Sequence, residues 1–93
     1  MRINDCRPEV RAFAVEMEKR LRKNDKKGGW RWCGTDWLLC RCVQELGELF
    51  SAIDRNGYNS GPVVRECADA ANFLMMLADN AGMKSPDRGG IQK

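Results

Sequence analysis

Two pairs of acidic residues share one spacing: Glu45 with Glu48, and Glu66 with Asp69. On a helix that turns about 100° per residue, a separation of three keeps both members on one side. Carboxylates that meet between two antiparallel helices form an all-oxygen donor set. That set suits a hard divalent cation, magnesium first and manganese second. Without a cation, like charges ~4 Å apart repel by several kcal/mol at an effective dielectric near ~20. Either some of the acids take raised pKa values or a cation neutralises them.

The elements that must position these pairs are three helices, with no convincing strand. The first is expected from about Pro8 to Asn24, with Pro8 in the first turn and Val10, Phe13, Met17 and Leu21 recurring at spacings of three and four. Gly28-Gly29 is a good stop after it. The second runs from about Asp36, capped by Thr35 or Asp36, to Asn56 and ends at Gly57, with Leu39, Cys42, Leu46, Leu49 and Ile53 as its expected seam. The third opens at Pro62 and runs to about Ala81, with Val64, Cys67, Ala71, Leu74, Met75 and Ala78 as its expected inner face. The connection before it is short, which favours antiparallel neighbours. Glu48 and Asp69 then stand at similar heights, each roughly 10 Å from the same loop at about 1.5 Å per residue. Residues 84–93 read as a flexible tail beyond a single helical domain over 1–83.

The third helix carries more apolar surface than two neighbours can cover. Phe73, Met76 and Leu77 point away from its inner face, so Ala70 to Ala78 is apolar nearly all round. The expectation is an all-α fold in which a three-helix protomer completes a four-helix-bundle-like core by self-association, as a dimer or tetramer. The same reasoning places Glu66 and Asp69 on the side that continues as Phe73 and Met76, so at least partly buried.

The bulk numbers set limits. With 93 residues, 43% hydrophobic and 31% charged, the chain is one small globular domain. A net charge of +3 is small for a dedicated nucleic-acid binder. No run reaches the ~18 apolar residues of a membrane span, and the charged N-terminus has no apolar core behind it, so a cytoplasmic protein is expected. Cys6, Cys33, Cys40, Cys42 and Cys67 are odd in number and include no C-x-x-C pair. Reduced thiols serving as small core residues are the expected use.

The string Gln44-Glu45-Leu46-Gly47-Glu48-Leu49, followed by Glu66-Cys67-Ala68-Asp69-Ala70-Ala71-Asn72, resembles the E-x-x-E … E-x-x-D signature of MazG-like nucleotide pyrophosphohydrolases. The approach Lys27-Gly28-Gly29-Trp30 and the stretch from Ala71 to Asp79 look like the small, often phage-borne, members. The resemblance runs from about Met17 to Asp79. It implies an all-helical, magnesium-dependent hydrolase that converts (deoxy)nucleoside triphosphates to monophosphates and pyrophosphate, usually as a dimer or tetramer. By the same resemblance Glu45, Glu48, Glu66 and Asp69 are metal ligands, one of them also serving the attacking water. Asn72 matches a position that supports metal or phosphate contacts. The chain is short, without room for extra helices to close a base pocket, and has no histidine.

The rest of such a site must hold a base and meet an outgoing pyrophosphate. Lys26 and Lys27 are the candidate cations, with Arg65 or Arg55 behind them, although cations at a helix C-terminus also complement its dipole with no ligand present. Trp30 is the first candidate for stacking on a base, ahead of Trp32, while Trp37 is expected in the core. Two alternatives belong to other classes. The basic run Lys19, Arg20, Arg22, Lys23, Lys26 and Lys27, followed by Trp30-Arg31-Trp32, fits a module that binds single-stranded nucleic acid. A catalytically silent interaction protein would keep the fold alone.

Overall fold

The computed structural model describes residues 1–83, and the tail expected over 84–93 lies outside them. Three α-helices account for most of these residues: α1 (Pro8–Lys23), α2 (Thr35–Asn56) and α3 (Gly61–Asn80). Short 3-10 turns over Ile3–Asp5 and Asp25–Lys27 flank α1. No strand occurs among the described residues, and no helix there is long and apolar enough to cross a membrane. Pro8 and Pro62 occupy the opening turns of α1 and α3, where a missing N–H costs nothing. Gly57 ends α2 with φ +80°, its N–H donating to the Ile53 carbonyl at 2.8 Å. That left-handed conformation is one a glycine adopts without steric cost, and it turns the chain back so that α3 returns along α2.

α3 packs chiefly on α2, and α1 leans on α3. The α2–α3 seam is narrow and built of small groups: Cys42 and Ala52 from α2 meet Val63, Ala68 and Ala70 from α3, and Leu38 is fully buried. The Cys42 thiol lies 3.8 Å from the Ala70 carbonyl, as a small core residue does. All five cysteines are free, and Cys40 is exposed.

The inward stripe of α2 differs from the expected one. It is Leu38, Cys42, Glu45, Leu49 and Ala52, whereas Leu39 and Leu46 face outward. The two stripes are adjacent and both recur at spacings of three and four, so hydrophobicity alone does not choose between them. Close approach of α3 does, because it needs the alanine and cysteine side. On α3, Val64, Leu74 and Ala78 are likewise exposed, and the inward line runs through Val63, Ala68, Ala70 and Asn72. α1 contributes no fully buried residue; Ala14, Met17, Arg20 and Leu21 are half-buried, while Val10 and Phe13 are exposed.

Candidate metal centre and its cavity

Glu45 comes from the middle of α2, and Glu66 and Asp69 come from the first half of α3. Antiparallel packing brings one oxygen of each within 4.8 Å of the others. All three residues are half-buried. Glu48 is exposed and falls outside this trio, although its charge still acts on Glu66. Burial pushes the Glu66 carboxyl above its ordinary range, and the neighbouring Asp69, Glu45 and Glu48 charges push the same way, with a hydrogen bond to Glu45. The group resists ionisation because a further negative charge here is poorly solvated and repelled.

Two arginines offset part of this charge. Arg20 reaches from α1 to Asp69 with both prongs, Nε donating to Oδ1 at 2.8 Å and Nη2 to Oδ2 at 3.0 Å. The bond to Asp69 raises the Arg20 pKa against the opposing effect of burial, with the charges of Asp69, Glu66 and Glu45 adding to it. Arg41 donates to Glu45 at 3.2 Å from one turn earlier on α2 and lies 5.2 Å from the centre of the Phe73 ring. Three carboxylates thus face two guanidinium groups.

One turn beyond Asp69, Asn72 is only 4% exposed. Its Nδ2 donates to the Met17 carbonyl of α1 at 3.0 Å. Its Oδ1 is buried and accepts no hydrogen bond. A buried acceptor left in that state costs about 1–3 kcal/mol, and such groups mark places where a ligand or water supplies the missing donor.

Beside the acids opens a cavity of about 450 Å³, within the range of small-molecule sites. Its walls combine three chemistries: the carboxylates of Glu45 and Asp69; the cations Arg20, Lys27 and Arg41; and an apolar side including Trp30, Trp37, Phe73 and Met76. Trp30 is held by both ends. Its indole N–H donates to Asp79 at 3.0 Å, and its carbonyl accepts from Asn80 at 3.1 Å, which fastens the connection between α1 and α2 to the far end of α3. Gly28, with φ +86°, makes the turn that leads into this connection.

Several expected site residues are therefore gathered and others are not. Glu45, Asp69, Lys27, Trp30 and Asn72 line the cavity, and Glu66 joins the acidic trio beside it. Lys26, Arg55 and Arg65 are exposed and do not line it. Trp32 is 92% exposed, with Arg31 beside its ring. Trp37 is not core: it is 53% exposed, lines the cavity and meets Phe73 edge-on at 6.3 Å. Two further cations were hidden in plain sight. Arg20 looks like one member of an exposed basic run, yet it stands three residues after Met17, on the inward side of α1. Arg41 stands four residues before Glu45, a spacing that pairs them on one helix face.

The donor set fits a hard divalent ion: oxygen atoms, close enough to share one cation, with an unpaired acceptor at hand. No family model, curated protein or solved structure matches the chain.

Proposed function

We propose that this protein is a magnesium-dependent hydrolase of (deoxy)nucleoside triphosphates, releasing nucleoside monophosphate and pyrophosphate, and that manganese can replace magnesium. The observation that carries the reading is the joining of an oxygen trio (Glu45, Glu66 and Asp69) to a cavity that also offers cations and an aromatic wall. Each part answers one part of such a substrate. When bound, a divalent ion neutralises phosphate charge and lowers the pKa of water. Glu45, Glu66 and Asp69 hold it. Glu48, exposed and outside the trio, is left to orient the attacking water or take its proton. Water adds to the α-phosphorus, the bond to the bridging oxygen of the β-phosphate breaks, and pyrophosphate leaves with the bonding electrons. Lys27 and Arg41 face the departing charge from the cavity wall. Trp30, Trp37 and Phe73 supply faces on which a base stacks.

The same reading takes the protein as a homo-oligomer. Leu39, Val43, Leu46 and Phe50 recur along the outer side of α2, and Val43 and Phe50 are 66% and 74% exposed. A second copy of the chain covering this stripe supplies the fourth-helix contacts that one protomer lacks.

Turnover of a panel of common ribo- and deoxyribonucleoside triphosphates with magnesium, detecting pyrophosphate and orthophosphate separately, tests the reading. Pyrophosphate from one or a few of them is expected, and Glu48→Gln is expected to lower the rate about 100-fold or more with the helical content unchanged. Orthophosphate alone means a different bond is cut and overturns the assignment. No product, together with magnesium-independent, steeply salt-sensitive binding of single-stranded nucleic acid, assigns the exposed Trp32 and Arg31 to that ligand instead.

A further inference from the structure

The Asp69 carboxylate has both of its oxygens engaged by one guanidinium, yet it belongs to the trio that fits a divalent cation. Arg20 sends that guanidinium from a different helix, and it lines the cavity. A positive group bonded to both oxygens of a ligand competes with a metal for the same negative charge. Two further observations bear on the contest. Asn72, on the same side of α3 one turn on, keeps Oδ1 buried and without a donor, so the arrangement with Arg20 in place leaves this region unsatisfied. A hydrated cation brings water protons, the donors that such an acceptor lacks. Meanwhile Asn72 is tied to α1 through the Met17 carbonyl, a bond separate from the Arg20 pair, so α1 stays attached when the arginine lets go.

We propose that Arg20 is a resident counter-ion of the metal centre: it occupies Asp69 while the centre is empty, is displaced when a divalent cation binds, and then turns to phosphate oxygens of the substrate within the cavity it already lines. The inference rests on the metal reading above. It makes metal loading and phosphate binding two halves of one exchange. Magnesium must remove the arginine to bind well, and the arginine, once removed, has its planar pair of donors free for a phosphate, whose oxygens match that fork. Arg20 acts on the metal through Asp69, as a positioning residue, and on the substrate directly.

The exchange is read without turnover. Manganese binding, followed by electron paramagnetic resonance, is compared in the wild type and in Arg20→Met. If the paired form dominates the empty centre, removing the competitor tightens manganese binding about tenfold, because the apparent affinity no longer carries the unfavourable fraction. Arg20→Lys, which keeps the charge but not the two-pronged fit, falls between. The magnesium complex of inorganic tripolyphosphate, which has no base, binds about tenfold more weakly to Arg20→Met than to the wild type. Manganese affinity that is unchanged or weaker in Arg20→Met, with the wild type binding normally, overturns the exchange and leaves the metal reading standing. Manganese bound by neither protein overturns both. A measurement on the wild type alone guards against a variant that does not fold: the Arg20 Nε–H resonance, protected in chelator, loses its protection as diamagnetic magnesium saturates the centre. A resonance that stays protected at saturation overturns the proposal.

Discussion

α3 touches two neighbours in opposite styles. Against α2 it presents alanines and Val63, which close over Leu38 and Cys42, and beside them Glu66, which meets Glu45. Against α1 it presents Asp69 and Asn72, and the contact is a two-pronged ion pair plus an amide donating to a backbone carbonyl. The apolar part of the first interface gains from removing apolar surface from water and is indifferent to ionisation. The second depends on a carboxylate that also serves the candidate metal centre. The α2–α3 seam thus carries the apolar scaffold together with part of the acidic trio, where Glu45 meets Glu66, while α1 is held by Asp69 and Asn72, two residues of the candidate site.

The comparison is sharpest in stability. Leu38→Ala removes the one large side chain that is fully buried among the described residues and should lower unfolding free energy by about 2–5 kcal/mol, independently of salt and magnesium, in denaturant titrations. Asp69→Asn should cost about 1.5–3 kcal/mol, because a partly buried guanidinium loses its charged partner. Its effect should be local, seen as faster amide exchange in α1 with α2 and α3 little changed. Uniform loss of protection over all three helices would mean that α1 is not a separately attached element. Magnesium should raise the melting temperature of the wild type and fail to do so in Asp69→Asn, which reads the metal centre through linkage. No rise at all in the wild type would remove the cation from the picture.

The smallest effect concerns Glu66, whose carboxyl burial and neighbouring acids hold above its ordinary range. A folded-state pKa above the unfolded one means stability that is complete below the unfolded value and lost as pH rises through the folded value. In chelator, wild type should therefore lose stability across that window on going from acid to neutral pH, and Glu66→Gln should lose less. Parallel melting curves for the two proteins against pH would show that the acid is not under strain.

Much of this division was legible from residue order. Pro8, Pro62 and Gly57 mark helix boundaries because their backbone preferences are local, and helix spacing keeps Glu66 and Asp69 on one side of α3; Glu48, expected beside Glu45 by the same spacing, is exposed and outside the trio. What the sequence leaves open is decided between elements. Leu38 and Leu39 are adjacent leucines on two equally periodic stripes, and only the approach of α3 buries the first and leaves the second 46% exposed. Trp37 has the character of a core residue, yet it sits where α1 does not reach α2 closely enough to cover it. Arg20 shares its composition with exposed neighbours, and its partner Asp69 is 49 positions away. Helix geometry pairs Arg41 with Glu45 on α2 and Glu66 with Asp69 on α3, and the docking of α1 adds Arg20.

The three tryptophans also divide by environment. Trp32 projects into solvent, while Trp30 and Trp37 share a cavity wall. An indole in water emits at long wavelength and responds little to events elsewhere, so Trp32 contributes a steady background that Trp32→Phe removes without touching the cavity. The remaining emission then comes from the two cavity rings, and a base stacked on them, as the proposed function requires, would quench it. The protein thus carries its own optical readout of cavity occupancy, one that would report the proposed nucleotide whether or not the bond in it is ever cut.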